Sequence, residues 1–281
     1  LPRILALAPC GTGGMRVALA ASRAGALGFL DLDGEGAGRM AGAVRNVVGK
    51  GVAIGVRVAV GSVAEDWLSL LPPEVRAVCC VADSGEGSGW REAAANIAAT
   101  GRAVLFEVTS REGARRAGEF GAAGLVLAGH EAGGVCGDES SFILLQGVLA
   151  DGGLPAWVRG GVGPLSAAGC IAAGAAGVVL DGALLLTRES ALDEPTREAV
   201  VRFDGSETVV VALKGGGRAR VHAPRGSSAS PRPCEAEMDC EAVGWAPGRL
   251  RPIGQDAAFA AKLANRHVTT GGVVRAVEEA I

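Results

Sequence analysis

Tyrosine is missing from the 281 residues, and the other aromatics, four Trp and six Phe, bring the aromatic share to only 4%. A chain so poor in flat side chains has few platforms on which nucleotide bases could stack. Lysine is nearly absent, with Lys50, Lys214 and Lys262 standing among 27 basic residues against 30 acidic ones, for a net charge of −3. That balance excludes a surface built to wrap a polyphosphate backbone, so no nucleic-acid partner is expected. Uninterrupted apolar runs stop well short of the ~20 residues that span a bilayer, so no membrane partner is expected either. Cysteine is limited to seven, an odd number with no CxxC pair and no Cys/His array. This excludes a disulfide framework and a structural zinc site, so no metal is expected. It points to a reducing, cytoplasmic setting. Secretory-signal features are lacking as well.

What the chain does have is 49% hydrophobic residues, 20% charged residues and 45 glycines, a composition that excludes general disorder. Residues 1–190 repeat one pattern: an apolar run, a turn of small residues, then a helical segment. The apolar runs are Ile4–Ala8, Leu27–Leu32, Val52–Val60, Val75–Val81, Ala103–Val108, Gly124–Ala128, Ala156–Val158 and Gly177–Leu180. Continuous rather than alternating runs are what strands covered on both faces require. The order predicts an α/β fold, a (β/α)8 TIM barrel over 1–190, with a doubly wound open sheet as the alternative. A small lid-like insertion is expected after strand 8 over 191–253, including a hairpin across Gly215–Gly217. Closing helices over 254–281 are expected to pack back on the barrel.

The glycines cluster directly after apolar runs, as in Gly129–Gly137, Gly160-Gly161 and Asp181-Gly182. In a barrel these turns share the C-terminal mouth, where ligands bind. Arg159-Gly160-Gly161-Val162 and Leu180-Asp181-Gly182-Ala183 follow the seventh and eighth strands, the usual place of a barrel's phosphate cradle. A phosphate-bearing cofactor or substrate is expected there, against plain tight packing of turns. Gly34-Glu35-Gly36-Ala37-Gly38 has the wrong spacing for a dinucleotide fingerprint and is set aside.

The segment Ala128-Gly129-His130-Glu131-Ala132-Gly133-Gly134-Val135-Cys136-Gly137 is the most distinctive in the chain. It resembles the GxEAGGHxG signature of the nitronate monooxygenase (2-nitropropane dioxygenase-like) family, close to the FMN-dependent enoyl-acyl carrier protein reductases. Ala8-Pro9, Ala24–Phe29, Gly160-Gly161-Val162, Thr187–Ser190 and Pro252–Gln255 agree with it in order along nearly the whole chain. The resemblance implies FMN across the barrel mouth, its phosphate held by Gly160, Gly161, Gly182 and Ala183. Ala8 and Pro9 would lie under the ring system, with Gly129, Gly133, Gly134 and Gln255 close to the cofactor and NAD(P)H as candidate reductant. Arg57 and Glu107, ending the third and fifth strands, are candidate neighbours of the flavin, with a salt bridge between them the plainer account.

Three departures from that pattern stand out. The family's signature His falls on Val135, which can neither donate nor accept a proton. Arg57 replaces the usual Asn or Gln, and Ala183 replaces a Thr. His130 and Cys136 are therefore the candidate proton donors, His130 against the reading of a rim histidine bonded to backbone, and Cys136 against that of small-residue filler. Glu131 is expected to organise its loop. Further segments, 138–146 and 254–260, resemble barrel domains of polyketide and polyunsaturated-fatty-acid synthases. An acyl carrier protein bearing a thioester and the other domains of a synthase are thus the expected partners. The Leu1 start suits a domain of such an assembly line.

Overall fold

The computed structural model describes residues 1–8, 14–32, 42, 44, 51–63, 65–81, 89–214, 216–223, 237–239, 242–245 and 248–281. Its centre is a closed barrel of eight parallel strands. They are β1 Ile4–Ala8, β2 Leu27–Asp31, β3 Ile54–Ala59, β4 Val75–Val81, β5 Ala103–Val108, β6 Gly124–Ala128, β8 Ala156–Arg159 and β9 Gly177–Leu180. The barrel closes where β9 pairs with β1 through Ile4↔Val178 and Ala6↔Leu180. An open sheet is thereby excluded.

Side-chain alternation explains the continuous apolar runs. Leu5, Leu7, Leu27, Phe29, Ala77, Cys79, Leu105, Val126, Trp157 and Val179 fill the bore. Their neighbours along each strand, such as Ala6, Ala8, Val104 and Val158, face the helices in a second, larger core. Glycine appears where a bore aromatic needs room. A Cβ on Gly55 would stand 2.4 Å from the Phe29 ring, and one on Gly177 2.5 Å from Trp157. Trp157 closes the far end of the bore, its indole N–H donating to the Pro2 carbonyl at 2.9 Å.

Helices α1 Met15–Arg23, α2 Glu65–Ser69, α3 Trp90–Ala99, α4 Arg111–Glu119, α5 Ser141–Ala150 and α6 Pro164–Ala172 lie between the strands. Ser110 and Ser140 cap α4 and α5 by accepting from the N–H groups of Gly113 and Ile143. Between β2 and β3, of residues 38–47 only Gly42 and Val44 are described, and both are helical. After β9 the chain makes only a short 3₁₀ turn, Gly182–Leu184. The outer layer is completed from the C-terminus instead. Helices α8 Ala260–His267 and α9 Thr270–Glu278 return to the barrel, and α9 packs against both α1 and α6.

Between these parts lie α7 Glu194–Val200 and an antiparallel hairpin, β10 Thr208–Ala212 with β11 Arg218–His222. Residues 224–236 of the expected lid lie outside the described residues. The sequence does not reveal that the signature loop supplies a third strand: β7 Gly134–Val135 pairs with β11 through Ala219↔Val135 and Arg220↔Gly134. The hairpin is thus hydrogen-bonded onto the barrel mouth. Among the described residues no helix is long and apolar enough to cross a membrane.

Candidate functional site

The top layer of the bore is ionic. Counting by two along each strand leads from Phe29 to Asp31, from Gly55 to Arg57, from Leu105 to Glu107, from Trp157 to Arg159 and from Val179 to Asp181, so the five charged residues share the inward face at the C-terminal mouth. Glu107 is the hub. It accepts from Arg57 Nε at 2.8 Å and Nη2 at 2.9 Å, and from Arg159 Nη1 at 2.8 Å. Arg57 Nη1 reaches Asp31 at 3.1 Å, while Arg159 Nε and Nη2 reach Asp181 Oδ2 at 3.0 and 2.6 Å. Burial would raise the Glu107 carboxyl, but Arg159 and Arg57 outweigh it and hold it at about 2. Cys79 sits beneath this layer, its thiol pushed well up by burial, and fills space. The expected Arg57–Glu107 salt bridge is present, but it is part of a chain that the sequence reading missed at Asp31, Arg159 and Asp181.

A second carboxylate group meets the mouth from the C-terminal segment. Asp256, 1% exposed, lies over the turn after β9. Its Oδ2 accepts from the Ala183 N–H at 3.3 Å, and its Oδ1 has no hydrogen-bond partner. A Cβ on Gly182 would come within 2.6 Å of Oδ1, and one on Gly254 within 2.5 Å. Burial, with Asp181 adding to it, pushes the Asp256 carboxyl up to about 7. Burial also pushes Asp181 up, but Arg159 works against that shift. Asp181 holds a guanidinium at 2.6 Å and Asp256 only one long N–H contact, so a proton shared by the pair belongs on Asp256.

The signature loop is held by packing and backbone bonds. Glu131 accepts from the N–H and Oγ of Ser141 at 2.9 and 2.8 Å, organising the loop. Gly129 and Gly160 leave room for Ser141 and Ala132, and Gly133 lies against Pro252–Gly254. His130 is half-buried, with Nδ1 3.3 Å from the Gly137 carbonyl and its own carbonyl accepting from Arg220 Nε at 2.8 Å. Val135 packs into the hairpin's small core with Val211, Ala219 and Val221. Cys136 is buried beside Ala128 and Ala132, and burial raises its thiol despite Arg220 and Arg159. His130 and Cys136 are thus each tied to the loop's own surroundings, and neither bonds to the ionic layer. His222 lies against the Phe203 ring, and His267 ends α8.

The two turns expected to hold a phosphoryl group differ. At Gly160-Gly161, both residues have positive φ (100° and 67°), and the N–H groups of Gly161 and Val162 donate to nothing among the described residues. A Cβ on Gly161 would meet only Glu131, at 3.7 Å. This turn fits an anion. At Gly182-Ala183 the place and the Ala183 N–H are taken by Asp256, so this half does not fit a phosphate as it stands. Ala8 faces outward, where a Cβ on Gly14 would touch it at 2.4 Å, and so lies outside the bore. Gln255 N–H donates to the Glu131 carbonyl at 2.9 Å, stitching the closing segment to the signature loop. Pro9 and Cys10 lie outside the described residues, and no cluster suited to a metal occurs among the described ones.

No family model matches the sequence, and no curated protein matches it. Solved structures do. The chain is similar to FabK from Thermotoga maritima, at 23% identity and a TM-score of 0.82, over 99% of this chain and 92% of that one. It is similar to nitroalkane oxidase from Streptomyces ansochromogenes, at 25% identity and 0.76, over 98% and 96%. The enoyl reductase domain of MlnA, from the macrolactin biosynthesis cluster of Bacillus amyloliquefaciens, matches at 12% identity and 0.71, over 99% and 94%. The likeness runs through barrel, hairpin and closing helices alike, and what it establishes is the TIM-barrel fold.

Proposed function

We propose that this chain is an FMN-dependent oxidoreductase domain that reduces an enoyl thioester presented by an acyl carrier protein, within a cytoplasmic polyketide or polyunsaturated-fatty-acid type synthase. The observation that carries the reading is the pair of undonated N–H groups at Gly161 and Val162, at the C-terminal mouth of a barrel similar over its full length to an enoyl reductase domain and a nitroalkane oxidase. Gly160 and Gly161 would hold the phosphoryl end, with Gly182 and Ala183 completing the cradle once Asp256 is out of it. Gly129, Gly133, Gly134 and Gln255 shape the adjoining wall. Arg57 and Glu107, held in the ionic layer, form the floor. FMN supplies hydride transfer when bound, with NAD(P)H as its reductant. The chain's own part is to bind, orient and provide a proton. His130 is the stronger donor candidate, because Cys136 is buried with a raised thiol.

The test is anaerobic. The FMN-loaded chain is mixed with a crotonyl-type thioester after reduction of its flavin, and with a nitronate while its flavin is oxidised. Reoxidation of the reduced flavin by the thioester supports the proposal, bleaching of the oxidised flavin by the nitronate alone supports nitronate-type chemistry, and neither change contradicts both. His130→Ala should retain FMN and lose turnover; unchanged turnover removes His130 from the reaction. A second reading, a non-redox acyl-binding or scaffolding barrel, is favoured by Val135, which places the signature position inside the hairpin core. A chain that is colourless near ~450 nm once unbound FMN has been removed would support it.

A further inference from the structure

We propose that Asp256 is a built-in competitor for the phosphoryl group: its carboxyl occupies the turn at Gly182-Ala183, so a phosphomonoester ligand enters the second half of the cradle only by displacing it. The inference rests on the mouth being an anion site but not on which flavin reaction follows. Three observations meet at this residue. Asp256 takes the Ala183 N–H at 3.3 Å, the donor a phosphate oxygen would use. Its Oδ1 has no partner, although the side chain is almost fully buried and aimed at Gly182. A buried polar atom without a partner costs free energy, so packing alone does not explain a carboxyl here. Further, the two guanidiniums of the ionic layer, Arg57 and Arg159, are already engaged by Asp31, Glu107 and Asp181. Neither is left to offset an incoming phosphate beside Asp256.

The geometry also says what moves. Asp256 is carried on the Gln255–Phe259 turn, which is tied to the signature loop by Gln255 N–H to Glu131 O at 2.9 Å and is close to Gly163 through the Phe259 ring. Displacing the carboxyl therefore shifts a segment that touches both cradle turns and the loop of His130. Binding at the turn and ordering of the mouth are coupled through one short stretch of chain.

The experiment is a set of titrations of the whole chain with FMN, riboflavin and inorganic phosphate. They compare wild type with Asp256→Asn, which keeps the shape and removes the charge, and Asp256→Ser, which also clears the space. Circular dichroism and thermal melting confirm that each variant folds. The expected result is FMN binding roughly tenfold or more tighter in at least one variant, with riboflavin unchanged because it carries no phosphoryl group. Equal FMN affinity in wild type and both folded variants would overturn the proposal. If no form binds FMN or riboflavin, the flavin reading fails, and inorganic phosphate then decides the competition. Phosphate bound by a variant but not by wild type supports it, and phosphate bound by none, or by all alike, overturns it.

Discussion

Two buried carboxyls at the mouth respond to pH in opposite directions. Glu107 titrates at about 2 in the folded chain, against ~4.3 unfolded. Its contribution is present above the unfolded value and is lost as pH falls toward 2. Asp256 titrates at about 7 when folded, against ~3.9 unfolded. The folded chain holds that proton more tightly, so its contribution is full below ~4, declines as pH rises to ~7 and then levels off, with a total of order 4 kcal/mol at most. Wild-type stability should therefore peak near pH 4–5 and fall toward neutrality. Asp256→Asn should flatten the fall, as followed by urea unfolding between pH 4 and 8; an unchanged slope would remove Asp256 as its source. Glu107→Gln should cost about 3–5 kcal/mol in the same assay, because it leaves Arg57 and Arg159 buried without their shared anion. The Arg57–Glu107 pair was legible in the sequence because two opposite charges stood near the ends of the third and fifth apolar runs, one strand apart across the mouth. Arg159, Asp181 and Asp256 were not, since each sits beside glycines that invite a ligand explanation and only the closed barrel shows them facing one another.

The barrel strands were legible as elements, because burial on both faces leaves unbroken apolar runs, and the observed bounds either match the expected ones or differ by a residue or two. Ala156 to Arg159 extends one residue past the apolar run, because the layer above the hydrophobic bore is ionic. The two-residue strand Gly134–Val135 was invisible: a pair this short carries no period, and its partner lies some 85 residues away in the hairpin. That pairing gives Val135 a role in the hairpin core, alongside the fully buried Val221. Val221→Ala should cost about 1 kcal/mol and be felt locally. Hydrogen exchange should quicken in β10, β11 and Gly134–Val135 while the β1–β9 ladder stays protected. Equal quickening in barrel strands would show that hairpin and barrel open as one unit. Gly177→Ala probes the barrel itself, because the added methyl would lie 2.0 Å from the Arg3 carbonyl and 2.5 Å from Trp157. Loss of the cooperative melt is expected.

For the molecule as a whole, the turns after β8 and β9 present one receptive and one self-filled half to the same mouth, beneath a hairpin bonded to the signature loop. The direct test is fluorescence titration of FMN with the purified chain, set beside Gly161→Asp. Aspartate tolerates the left-handed backbone at this position better than most residues and adds a negative charge where the undonated N–H groups lie. Saturable binding by wild type that the folded variant loses is the predicted result. Absence of binding, or binding equally tight in the variant, would contradict a phosphoryl-holding mouth and leave the barrel as a non-redox module.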